Sequence, residues 1–99
     1  MEETIVEVKP SQAKGKKYTA IVKSKAGRRR KIHFGAKEYE QYRDALGHFK
    51  KLNHGDSKRR KSYFKRFSGV ETKAEAMKRE MKKANGRYTA KILSHKFLW

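Results

Sequence analysis

Residues 18–34, YTAIVKSKAGRRRKIHF, read as two β-strands joined by a tight turn. Tyr18 to Ser24 is rich in β-branched and aromatic residues, and Arg30 to Phe34 alternates bases with Ile32 and Phe34. Between them Lys25-Ala26-Gly27-Arg28-Arg29 supplies the glycine that a hairpin turn needs. Working outward, Thr4 to Val8 has the same strand character, and Lys9 to Lys17, with Pro10 and Gly15, reads as the connecting loop. The expectation is an antiparallel sheet of about three strands.

Downstream the hydrophobic period changes from two to about 3.6. Tyr39, Tyr42, Leu46 and Phe49 recur at spacings of three and four, which predicts a helix after Ala36, weakened by Gly47. A second helix is predicted from Asp56 or Ser57, as cap, to about Phe67, with Gly69 as its stop. Its pattern gathers Tyr63, Phe64 and Phe67 on one side and Lys58, Lys61 and Lys65 on the other. A third runs from the capping-box pair Thr72 and Glu75 to Asn85-Gly86, with Ala74, Met77, Met81 and Ala84 as its core stripe. The short echo of Gly15-Lys16-Lys17-Tyr18-Thr19-Ala20 in Gly86-Arg87-Tyr88-Thr89-Ala90 suggests a further strand start at a sheet edge. The fold class is therefore α+β, one domain over residues 1–99, with the sheet packed against two or three helices.

Charge is the dominant chemical feature. The 99 residues carry 28 Lys and Arg against 10 Asp and Glu, a formal net charge of +18. So much like charge opposes compaction, which points to a polyanionic partner, and phosphates are the obvious one. Seventeen of the 28 bases fall in two acid-free blocks, residues 8–37 and 57–70, while Glu2, Glu3 and Glu7 crowd the first seven residues. That acidic segment is expected to fold back on the basic surface and moderate its affinity.

Other classes recede. There is no cysteine, hence no disulfide, thiolate nucleophile or Cys-based zinc site. No apolar run has the length of a membrane span, and the acidic start is unlike a signal peptide, so a soluble protein, intracellular or enclosed with nucleic acid, is expected. His33, His48, His54 and His95 match no metal-ligand spacing, and no cofactor is expected. Trp99 can pack inward or stay exposed. Glu40 and Asp44, with Glu38 nearby, are the nearest thing to a nuclease carboxylate cluster, but in so basic a chain they more naturally pair with Arg43 or neighbouring lysines.

Several motifs resemble a small basic domain family encoded by large nucleocytoplasmic DNA viruses. They are Tyr18-Thr19-Ala20, Ile32-His33-Phe34-Gly35-Ala36-Lys37 with Tyr39 and Tyr42, then the spaced His54, Asp56, Arg59, Arg60, Tyr63 and Arg66, and finally Thr89-Ala90 with Ser94, Leu98 and Trp99. Arg43 to Asn53 looks like an insertion relative to that pattern, and Leu93 and Lys96 stand where the family tends to place aromatics. The family has no assigned enzymatic activity. The resemblance implies a giant-virus context, a marseillevirus-type virion protein that accompanies the genome, located in the virion and in host cytoplasm or nucleus during infection.

The sequence thus predicts a non-enzymatic protein that binds double-stranded DNA through phosphates with little sequence preference, for coating, compaction or packaging. The candidate contacts are Lys16 and Lys17, then Lys23, Lys25, Arg28, Arg29, Arg30 and Lys31 of the hairpin, then Lys58, Arg59, Arg60, Lys61, Lys65 and Arg66 of the second helix. About six phosphate contacts give a slope of log affinity against log salt of about −5. An RNA-binding or ribosome-associated role is the alternative, since charge does not separate RNA from DNA. A membrane partner lacks an amphipathic basic helix with bulky anchors.

Overall fold

The computed structural model describes residues 2–99. The strand-forming segments pair as expected: β1 (Glu3–Pro10), β2 (Lys16–Ser24) and β3 (Arg29–Ala36) form an antiparallel sheet in the order β1-β2-β3. The β2–β3 turn closes through Gly27, whose φ of 87° suits glycine, and Ser24 N–H donates to the Arg28 carbonyl at 2.8 Å. In β1, Ile5 and Val8 are three apart and would face opposite sides of a regular strand. The pairing shifts between Ile5 and Glu7, leaving Val6 as the extra residue, so both apolar side chains pack against the core.

The even-numbered positions of the hairpin, Tyr18, Ala20, Val22, Ile32 and Phe34, are buried on one face of the sheet. α3 (Ala90–Leu98) covers that face with Leu93 and Leu98, and Phe97 stacks on Phe34 at 5.9 Å. α1 (Ser57–Ser68) and α2 (Lys73–Lys83) pack on one another and on α3, so all three helices lie on the same side of the sheet. The local signals are those read in the sequence. Asp56 accepts from Lys58 and Arg59 N–H, Gly69 ends α1 with φ 73°, and Thr72 caps α2 through Glu75 N–H.

Three expectations are corrected. Residues 36–49 form no α-helix; the segment is irregular and leads into one 3-10 turn, Lys50–Leu52. The reason is a polar hub. Asp44, buried, accepts from the Tyr18 hydroxyl at 2.6 Å and from Leu46, Gly47 and Phe49 N–H, while Gln41, also buried, donates to the Phe49 carbonyl and the Asn53 side chain. Those side-chain bonds hold the backbone in turns in place of a helical ladder. Residues 86–90 are not a strand start: Thr89 caps α3, its hydroxyl accepting from Ile92 N–H at 3.1 Å. On α2 the buried residues are Ala76 and Glu80, with Met77, Met81 and Ala84 half-buried and Ala74 exposed. The face turns this way because Glu80 reaches inward to a hydroxyl on α1.

Candidate nucleic-acid interface

Alternation along the strands sends one set of side chains to the helices and the other to solvent. The outward set includes Lys9, Lys23, Arg29, Lys31 and His33, all exposed, around Thr19 and Ile21, with one acid, Glu7, opposite Ile21 and paired to Lys9 at 3.6 Å. Thr19 is closed over by polar neighbours, its hydroxyl bonded to Ser11 at 2.8 Å and to His33 Nδ1 at 2.7 Å. Among the described residues no helix packs on this face.

Lys23 and Arg29 are direct cross-strand partners, and Ile21 opposite Lys31 continues the row. Like charges facing each other across a ladder destabilise it. Among the described residues, no carboxylate lies within ion-pair distance of Lys23, Arg28, Arg29 or Lys31. At the turn Lys25 meets Glu2 at 3.7 Å, both well exposed, an arrangement worth little in water.

The second basic block is α1, whose Lys58, Lys61 and Lys65 are exposed, Lys65 near Glu71 at 4.0 Å. Arg59 pairs with Glu40 at 3.0 Å. Arg66 is exposed, its guanidinium over the Phe67 ring at 5.4 Å. Because α1 stands in the helical layer, the two blocks occupy opposite sides of the sheet and do not merge into one surface. Lys16, even-numbered on β2, belongs with the α1 side.

Three of the candidate contacts are committed inside the fold. Lys17 is 2% exposed, and its ammonium donates to the Tyr39 carbonyl and Gln41 Oε1. Burial pulls its pKa below the usual lysine value, the Asp44 carboxylate opposing. Arg30 faces the helical side and holds Glu3 through two bonds, 2.8 and 2.7 Å, while also donating to the Tyr88 carbonyl. The Arg30 bonds hold the buried Glu3 carboxyl below the ordinary range against the cost of its burial, and Tyr88 N–H donates to it as well. Arg60 donates through Nε to the Trp99 main-chain oxygen at 2.9 Å and lies over the Tyr42 ring at 4.6 Å. The acidic segment therefore leads into an edge strand and its carboxylates are paired, Glu2 with Lys25, Glu3 with Arg30 and Glu7 with Lys9; Met1 lies outside the described residues.

The carboxylates considered for catalysis are spoken for: Glu40 by Arg59, Asp44 by Tyr18 and three N–H groups. A buried Ser, His and Glu do meet between the helices. Tyr63 donates its hydroxyl to His95 Nδ1 at 2.8 Å, His95 Nε2–H donates to Ser68, and Ser68 donates to Glu80, an order fixed by the single hydroxyl proton of Ser68. The order is wrong for a nucleophile, because the acid holds the serine and not the histidine, and Ser68 is 4% exposed. Burial pushes His95 down to about 4, so it stays neutral. Among the described residues no three His, Asp or Glu side chains are grouped to hold a metal ion. Nor is any helix there long and apolar enough to cross a membrane.

Sequence reasoning missed two things. Lys9 was read as loop, yet its place opposite Thr19 puts it on the open face. The helical spacing of Tyr39 and Phe67 implies core positions, with stacking on exposed bases as the lesser reading, yet they are 73% and 43% exposed; with Trp99, half-buried, they line a groove bounded by α1 and α3. The profile of a family of unknown function (DUF5754) matches residues 6–67, and no curated protein or solved structure gives a match. With more than half its length matched, the chain belongs to that family.

Proposed function

We propose that this member of the family is a non-enzymatic protein that binds double-stranded DNA through its phosphates, with little sequence preference. The observation that carries the reading is the open sheet face, where Lys23 faces Arg29, Lys31 follows on the same strand, and among the described residues no carboxylate partners them. A ladder that keeps unbalanced cations in direct opposition at a cost to itself is suited to a partner that brings the missing negative charge. Three strands at about 4.8 Å spacing are about as broad as the major groove, so the face can sit over it, with Lys25 and Arg28 at the turn reaching flanking phosphates. Lys58, Lys61 and Lys65 form a second, separate row on α1.

Coating, compaction or packaging of a genome follows from such binding, and the viral resemblance of the motifs makes a large DNA virus and its virion the proposed setting. No catalytic role is assigned to Glu40 or Asp44. The test is binding to a random 30-base-pair duplex and a matched RNA hairpin over a salt series. The reading expects steep salt dependence on the duplex without preference for RNA. It also expects the triple variant Lys23→Gln, Arg29→Gln, Lys31→Gln to lower the magnitude of the log–log slope by about 2.7. Selective RNA binding would transfer the function to RNA, and an unchanged slope would remove the sheet face from the interface.

A further inference from the structure

The helical side holds a groove of about 920 Å³ between the end of β3, residues 38–41, α1 and α3. Its lining joins two kinds of surface. One is aromatic: Tyr63 and Trp99 stack with ring centroids 4.0 Å apart and planes within 3°, and Phe67 lies 4.9 Å from Tyr63. The other is cationic, with Lys16, Lys58 and Arg66 at the margin, Lys91 held by Glu80 and the Phe67 carbonyl, and Glu38 and Glu40 as the acids, Glu40 neutralised by Arg59. Of three large hydrophobic side chains that stand exposed among the described residues, two, Tyr39 and Phe67, line this groove. Exposed rings cost free energy in water and are retained where a flat apolar partner covers them.

We infer that this groove is a binding site for unpaired nucleotides, the bases stacking on Phe67 and Tyr39 and the phosphates meeting Lys16, Lys58 and Arg66. The combination fits single-stranded nucleic acid, because every base offers a π-face while its backbone brings charge at regular intervals. Duplex DNA hides its base faces, so the groove serves a different ligand from the sheet face and does not rest on the duplex reading. An acidic peptide would satisfy the cations but leave the exposed rings without a flat partner.

Trp99 is the only tryptophan and lines the groove, so its fluorescence reports occupancy. The full chain is titrated with a 12-nucleotide oligothymidine, an abasic 12-mer with the same phosphates, the 30-base-pair duplex and a polyglutamate peptide. Saturable quenching by oligothymidine is expected, with little from the other three. The double variant Tyr39→Ala, Phe67→Ala should weaken oligothymidine binding at least about tenfold, from stacking worth about 1–3 kcal/mol per base. Both side chains are exposed, so the melting curve should stay close to that of the parent, and duplex affinity should be unchanged. Equal oligothymidine affinity in the double variant, equal quenching by the abasic strand, or quenching by polyglutamate that depends on the same two rings would each overturn the assignment.

Discussion

Tyr18 and Asp44, 26 residues apart, meet through a 2.6 Å hydrogen bond inside the fold. Tyr18 stands on β2, and Asp44 stands in a segment with no regular structure, so this bond is one of the anchors that fix residues 41–53 against the sheet. Burial disfavours the charged carboxyl, but the Tyr18 hydroxyl and the Phe49, Leu46 and Gly47 N–H groups outweigh it and hold Asp44 below its ordinary pKa. Tyr18→Phe keeps the ring and removes the donor; it should destabilise by about 2 kcal/mol in urea unfolding and speed amide exchange at Leu46 to Phe49. Since the folded pKa is depressed, this contribution is present above the unfolded carboxylate value and is lost as pH falls through the folded one.

Gly35 allows a close approach of sheet and helix. It has φ of 80°, and a Cβ there would stand 2.8 Å from Leu98 Cδ1 and 3.2 Å from Lys17 Cβ. Gly35→Ala should cost about 2–4 kcal/mol, combining backbone strain with overpacking. Gly27 has a similar φ with nothing within 4 Å, so Gly27→Ala should cost about 1 kcal/mol. Paired thermal melts of the two variants separate the steric contribution from the backbone contribution.

His95 makes the helical layer sensitive to mild acid. Its buried imidazole has a folded pKa of about 4 against an ordinary value of 6.5. The unfolded chain therefore binds the proton first, and stability present above pH 6.5 declines progressively as pH falls from there to about 4. The loss is on the order of 3 kcal/mol by the lower end. Unfolding free energies at pH 7.5, 5.5 and 4.5 should trace it, with the His95 ring still neutral by NMR at pH 5.

The opposition of Lys23 and Arg29 predicts a trade of stability against binding. Lys23→Gln should raise the melting temperature at low salt, from a repulsion of a few tenths of a kcal/mol, and the gain should vanish in 1 M salt, where screening is complete within a few ångströms. The same variant should lower the magnitude of the duplex salt slope by about 0.9. Lys17→Met, by contrast, changes stability without a comparable change in slope, because its ammonium is already inside.

What the sequence revealed divides along the range of the forces involved. The hairpin, α1 and α2 follow from neighbours a few residues apart: Gly27 in the turn, Asp56 and Gly69 at the ends of α1, Thr72 with Glu75. The 36–53 segment was misread because its determinants are distant. Tyr39, Tyr42, Leu46 and Phe49 have helical spacing, but Asp44 answers to Tyr18 and Gln41 to Lys17, and no local window contains both partners. The cations show the same split. Composition announces a basic protein, yet only tertiary contacts reveal that Arg30 serves Glu3, Arg60 serves Trp99, and, among the described residues, Lys23, Arg29 and Lys31 meet no carboxylate. Ser68, His95 and Glu80 carry no spacing signal at all, since their meeting depends on three helices.

The covering of the sheet by α3 has a consequence for the order in which the molecule assembles. The strands are joined by short connections and can pair early, but the side chains that close their apolar face, Leu93 and Leu98, come more than fifty residues after β3. Until those residues dock, Tyr18, Val22, Ile32 and Phe34 form an open adhesive plane, which three strands alone do not protect. α1 and α2 thus act as a tether whose length sets how long the plane stays bare. A nascent chain in that interval has its hydrophobic side uncovered and its opposite side crowded with cations, so mutual repulsion between copies is what guards it from self-association.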